Sequence, residues 1–217
     1  MSKASPDTRE RMLGAAETLL RERGLAGAGI QQVVARSGAP IGSLYHFFPG
    51  GKTQLAAEAL RINGGKAGTL FRSILGDSSA PFPDRVRRLF RTAASGFDKA
   101  GADKGCAVGS VALDLDARHE ALRTVCQEAF DAWTASIADE LPWSDRATRR
   151  GLAEVLVAGI EGAFILSRAR RSGEPFLTVG ESLALMLEGL PAQARVGAGS
   201  RSPRKKSRRP RTTSKHV

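Results

Sequence analysis

Apolar residues recur at intervals of three and four along almost the whole chain, and that spacing restricts the fold to packed helices. Leu122, Val125, Cys126, Ala129, Phe130, Trp133 and Ile137 share one face of a helix, because each turn takes about 3.6 residues. Val86, Leu89, Phe90, Ala93 and Phe97 repeat the pattern, as do Leu152, Val155, Leu156, Gly159, Ala163, Leu166 and Ala169. Leu183, Met186, Leu187 and Leu190 form the last such face before Pro191. Only CAVGSVALDLD, residues 106–116, suits a short helix or a strand equally. The expected fold class is all-α.

The first part of the chain is punctuated more tightly. Ser5-Pro6-Asp7 is a candidate helix start, with a cap, a proline tolerated in the first turn and an acid favoured by the helix dipole. Met12, Leu13, Ala16, Leu19 and Leu20 then follow helical spacing as far as Gly24. Ile30, Val33 and Val34 make a second, short helix stopped at Ser37-Gly38. Pro40 opens a third, with Leu44, Phe47 and Phe48 on its apolar side, and a longer fourth begins near Lys52 and runs to Ile74.

Two short helices joined by a glycine turn form the helix-turn-helix pattern, whose second helix enters the major groove of DNA. Pro40 suits the first turn of such a helix. Gly42 permits close backbone approach, and Ser43 offers a small hydroxyl. Tyr45 and His46 can donate to phosphate oxygens, and Lys52 adds a cation beside the free N–H groups of a helix start. These donors position a duplex more than they read its sequence. Spacing alone leaves a plain packing or surface role open for each of them.

The order of residues goes further. Ala15-Ala16-Glu17-Thr18-Leu19-Leu20, Gly24-Leu25, Ile30 to Gly38 and the Gly42-Ser43-Leu44-Tyr45-His46-Phe47-Phe48 core resemble the DNA-binding domain of TetR-family transcriptional regulators across residues 6–66. APIGSLYHFFPGGK resembles the LmrA/YxaF-like branch, and GCAVGSVALDLD and EGAFILSRARRSGEP resemble that branch's C-terminal domain less specifically. The resemblance implies a three-helix DNA-binding domain over 6–66 and a helical effector-binding and dimerisation domain over 67–190. It implies a homodimeric repressor on a palindromic double-stranded DNA operator, released by a small-molecule effector. Ser43, Tyr45, His46 and Lys52 would then contact phosphates and bases, flanked by Gln31, Gln32, Pro40, Ile41 and Gly42. The sequence departs from the family's pattern twice. Ala28-Gly29 stands where a threonine often caps the second helix, and Ile41 stands where a polar or basic residue is common. Ile41 can touch a thymine methyl but cannot make a bidentate guanine contact.

In the second half, Gly159, Gly162 and Ala163 allow close helix approach, either within the chain or, with Leu166 and Met186, in a dimer interface. Phe71, Phe90, Phe97, Phe130, Trp133 and Phe164 are candidates for an effector pocket, with ordinary core as the alternative. Asp114, Asp116 and His119 form a local acid and histidine cluster, but a solvated helix start explains it better than a metal site. No metal site, cofactor or catalytic constellation is read from the chain, and it is not expected to be an enzyme.

Charge is distributed unevenly. Of 33 lysines and arginines, nine fall in residues 191–217, where there is no acid, leaving 24 against all 22 acids in residues 1–190. The terminal stretch is expected to be a disordered basic tail, either simply solvating the protein or binding phosphate non-specifically. An architectural DNA binder working through that tail is therefore the alternative reading. Two cysteines imply no disulfide framework. With no apolar run long enough for a membrane span and no signal peptide, a cytoplasmic location is expected.

Overall fold

The computed structural model describes residues 6–190 and contains nine α-helices and no strand among them. The candidate cap Ser5 and the basic segment 191–217 lie outside the described residues. The helices are α1 (Pro6–Gly27), α2 (Ile30–Ser37), α3 (Ile41–Phe47), α4 (Gly51–Leu75), α5 (Phe82–Ala100), α6 (Ala107–Leu113), α7 (Glu120–Glu140), α8 (Arg146–Arg170) and α9 (Glu174–Glu188). The ambiguous CAVGSVALDLD segment is thus helical. Cys106 caps it, its sulfur accepting from the Gly109 N–H at 3.5 Å.

The expected end of the first helix at Gly24 is a break rather than a stop. Gly24 has φ 65° and ψ −165°, and helical turns resume beyond it. The turn after the break begins with N–H groups that have no partner in the preceding turn. Asp114, just past α6, supplies one: its carboxylate accepts from Leu25 N at 2.7 Å and from Ala26 N at 3.3 Å. A side chain at position 24 would collide with that same carboxylate. Two further joints fix this end of α1. The Arg21 carbonyl accepts from Gly105 N at 2.9 Å, and Arg21 Nε donates to the Gly105 carbonyl at 3.0 Å. Arg168 of α8 donates to the Glu22 carbonyl at 3.3 Å.

α1 packs against α2, α4 and α6; α4 lies along α7, α5 along α9, and α8 bridges α7 and α9. α4 passes through residue 66, the expected domain boundary, without a break. It can lie close to α7 because Gly64 faces Ala129, and the Trp133 indole N–H donates to the Gly64 carbonyl at 2.8 Å. On the far side, Arg87 of α5 holds α9 through Glu181 at 2.9 Å and Glu188 at 2.8 Å.

The turn between α2 and α3 depends on Gly38, which closes α2 in the left-handed region at φ 63°. There an L side chain meets its own backbone. Open space surrounds a Cβ built at that position apart from Arg11 Nη1 at 3.7 Å, so backbone strain alone sets the cost. Gly38→Ala is expected to lower stability by about 1–2 kcal/mol, measured by urea denaturation. An unchanged midpoint would show that the turn relaxes.

Candidate nucleic-acid interface and effector cavity

α3 is seven residues long and would not persist alone. It is pinned from below by Leu44 and Phe48, both fully buried in a core shared with Met12, Leu20, Val33 and Leu60. Arg11 of α1 donates to the Ser37 carbonyl at 2.9 Å and closes the end of α2. The Phe48 N–H returns to the Leu44 carbonyl at 2.7 Å, and Gly51 N to the Phe48 carbonyl at 2.8 Å, which turns the chain into α4.

With Leu44 and Phe48 facing inward, the opposite face of α3 is presented to solvent. Pro40, Gly42 and His46 are exposed, and Ile41 and Tyr45 retain 51% and 53% of their accessible surface. Ser43 and Lys52 are half-buried at the edges of this face. Pro40 is the residue capping α3 rather than its first helical residue. Nothing lies within 4 Å of a Cβ built at Gly42, so the backbone there is open to approach. Gln31 and Gln32 are exposed on α2. Gln32 folds its amide back over Gly29, which begins α2 without a side-chain cap.

A cavity of about 400 Å³ lies deeper, between α1, α4, α5, α7 and α8. Phe71, Phe97, Trp133 and Phe164, four of the expected pocket residues, line it. Glu17, Arg21, Asn63 and Lys66 complete its polar part, with Lys66 paired to Glu17 at 2.7 Å. Phe130 lines a neighbouring cavity of about 250 Å³ with Ile165 and Arg168. Phe90 is a correction: it lines neither cavity, being fully buried beneath α9, where a side chain at Gly180 would collide with its ring.

The two cavities share Gly105, Cys106, Glu161 and Phe164. Neither Cys106 nor Glu161 was expected from sequence. The available signal is that Glu161 stands between Val157 and Phe164, one turn away on either side, on the inward face of α8. Burial raises the Glu161 carboxyl from its ordinary 4.5 to about 7, and the Cys106 thiol donates to it and partly offsets the shift. Burial and the nearby Glu161 charge push the Cys106 thiol well up, so it is a poor nucleophile.

Two of the small residues expected at a dimer interface face inward instead. A Cβ at Gly159 would lie 2.8 Å from Leu183 of α9, and Ala163 is fully buried. The missing side chain at Gly159 serves packing of α8 on α9 within the chain. Gly162 has open space before it, and Leu166 and Met186 keep 43% and 65% of their surface exposed. The acid and histidine cluster converges only in part. Asp114 serves α1, whereas Asp116 accepts from Arg118 at 2.7 Å and lies 3.0 Å from His119 Nδ1; no group of three or more ligands able to hold a metal is found among the described residues.

Glu161 also makes a stability prediction. The folded chain holds its proton to about pH 7, whereas the unfolded chain releases it near 4.5. The native state therefore binds more protons within that window, and stability falls as pH rises through it. Glu161→Gln removes the decline. The variant is expected to exceed the parent by up to about 3 kcal/mol at pH 8 and to match it below pH 4, in denaturant titrations. A parent that is no less stable at pH 8 would show the carboxylate to be compensated.

Residues 12–59 match the family described as bacterial regulatory proteins, tetR family. Residues 83–182 match the transcriptional regulator LmrA/YxaF-like C-terminal domain. The chain is 34% identical over 183 residues to the HTH-type transcriptional regulator YxaF of Bacillus subtilis, covering 83% of this chain and 95% of that protein. It is 30% identical over 187 residues to LmrA of the same organism, covering 84% and 97%. Among solved structures, a regulatory protein TetR from Rhodobacter sphaeroides superposes with a TM-score of 0.74 at 20% identity, over 82% of this chain and 97% of that one. The helix-turn-helix and the helical body behind it thus belong to one known architecture, and the chain is a member of the TetR family of DNA-binding transcriptional regulators, in its LmrA/YxaF-like branch.

Proposed function

We propose that the protein is a homodimeric repressor that binds a palindromic operator and is released by a small molecule. Residues 6–66 form the DNA-binding unit and residues 67–190 the effector-binding and dimerisation unit. The observation that carries this reading is the outward face of α3, where Pro40, Ile41, Gly42, Tyr45 and His46 are exposed over a buried Leu44 and Phe48. Such a face fits the major groove, with Tyr45, His46 and Lys52 toward phosphates and Ile41 toward a thymine methyl.

Dimerisation is supported by a second exposed surface. Val155, Ile165 and Leu166 on α8 and Leu177, Leu185 and Met186 on α9 all keep more than two fifths of their area in water. Exposed apolar groups concentrated on two adjacent helices mark an association surface. A two-fold pair would carry two α3 helices, suited to half-sites about 34 Å apart or a multiple of that. Repression is supported by a more distant relative, DhaR of Mycobacterium, named a transcriptional repressor, at 25% identity. The cavity of about 400 Å³ is the proposed effector site.

Binding to the promoter fragment of its own gene, followed by fluorescence anisotropy at physiological salt, tests the interface. Tyr45→Phe and Lys52→Ala are each expected to weaken it by about 1–3 kcal/mol; unchanged affinity removes that residue from the site. Deleting residues 191–217 is expected to preserve preference for the palindrome, whereas loss of most affinity would favour the architectural reading. Leu166→Asp with Met186→Asp is expected to yield a folded monomer in sedimentation and to abolish palindromic binding. A stable dimer in that double variant would place the association surface elsewhere.

A further inference from the structure

The larger cavity contains a carboxyl group that none of its bordering cations pairs with. Glu161 has no ion pair among the described residues, and its partner is the neutral Cys106 thiol. Of the cations that border the two cavities, Lys66 is paired with Glu17 at 2.7 Å, while Arg21 and Arg168 donate to the Gly105 and Glu22 carbonyls at 3.0 and 3.3 Å and form no ion pair with Glu161. Opposite them the walls are aromatic. Phe71 meets Trp133 edge-on at 5.7 Å, and Phe97 meets Phe164 at 6.5 Å. The indole N–H of Trp133 is spent on Gly64, so its ring contributes surface rather than a donor.

Burial favours the neutral acid at Glu161, and a cation carried in by a ligand would make its ionised form favourable. Aromatic faces attract the same charge and accept the apolar body that carries it. We infer that Glu161 is the recognition group of the effector site, and that the occupant is an organic monocation, a tertiary or quaternary amine on an aromatic body. The inference rests on the effector-site reading of the cavity and adds the chemical class of its ligand. An anionic ligand meets repulsion from an ionised Glu161, and a neutral one gains no charge partner there.

Three naphthalene probes that differ only in their substituent, a trimethylammoniomethyl, a hydroxymethyl or a carboxylate group, separate these classes. Isothermal titration calorimetry on the full chain is expected to give the cation an advantage of about tenfold or more over the alcohol, with the carboxylate weakest. Glu161→Gln is expected to shrink that advantage to within about threefold. Phe164→Ala is expected to weaken cation and alcohol alike, which tests the cavity independently of Glu161. The inference is overturned if the alcohol or the carboxylate equals the cation, if the glutamine variant keeps the full preference, or if none of the probes binds. Release of the promoter fragment is followed in parallel. A cation that binds through Glu161 and leaves DNA bound supports the ligand class and removes the inducer role. Release by a probe indifferent to Glu161 keeps the inducer role and overturns this ligand class.

Discussion

The carboxylate of Asp114 on the backbone of Leu25 and Ala26 is the bond on which the arrangement of the molecule turns. Gly24 interrupts α1, and the N–H groups that follow have no acceptor in the preceding turn. Satisfying them from α6 ties the end of α1 to the helical body. Since α1 carries α2 and, through Leu44 and Phe48, α3, the aim of the DNA-facing surface is set by a joint far from it in sequence. The reciprocal pair between Arg21 and Gly105 reinforces that joint, and both residues also border the larger cavity. Attachment of the DNA-binding helices and the lining of the pocket therefore draw on the same few groups.

The helix-turn-helix was legible in the sequence because everything that makes it is local. Gly38 terminates α2, and the apolar positions that bury Val33, Leu44 and Phe48 lie within a few turns of one another. CAVGSVALDLD was not legible: Ala107, Val108 and Val111 are all fully buried in a seven-residue helix, too short for its period to separate from that of a strand. Gly159 and Ala163 announced a close helix approach without announcing to which helix. At Gly159 the neighbour is α9 of the same chain, Ala163 is buried, and residues on the same helix such as Leu166 face outward. Asp114 looked like part of a solvated helix start because its partners are 89 and 88 positions away. Phe90 and Phe97 share a helical face, yet only Phe97 borders a cavity; periodicity reports an inward direction and not whether space lies there.

Electrostatics near the DNA-binding helices follow from which cations are already engaged. Arg9 is paired with Glu58, Arg11 with Asp7 at 3.2 Å, Arg36 with Glu22 at 2.7 Å and Lys66 with Glu17 at 2.7 Å. All but the Arg11–Asp7 pair, which lies within α1, fix α1 against α2 or α4, and their charge is largely spent within the protein. Lys52 has no ion pair among the described residues, and it stands at the N-terminal end of α4, where the helix dipole favours an anion. A face with so few uncommitted cations gains little from charge alone. In the proposed operator complex, discrimination would then fall to the fit of α3 and to what Ile41 and Tyr45 touch once the phosphates have set the register.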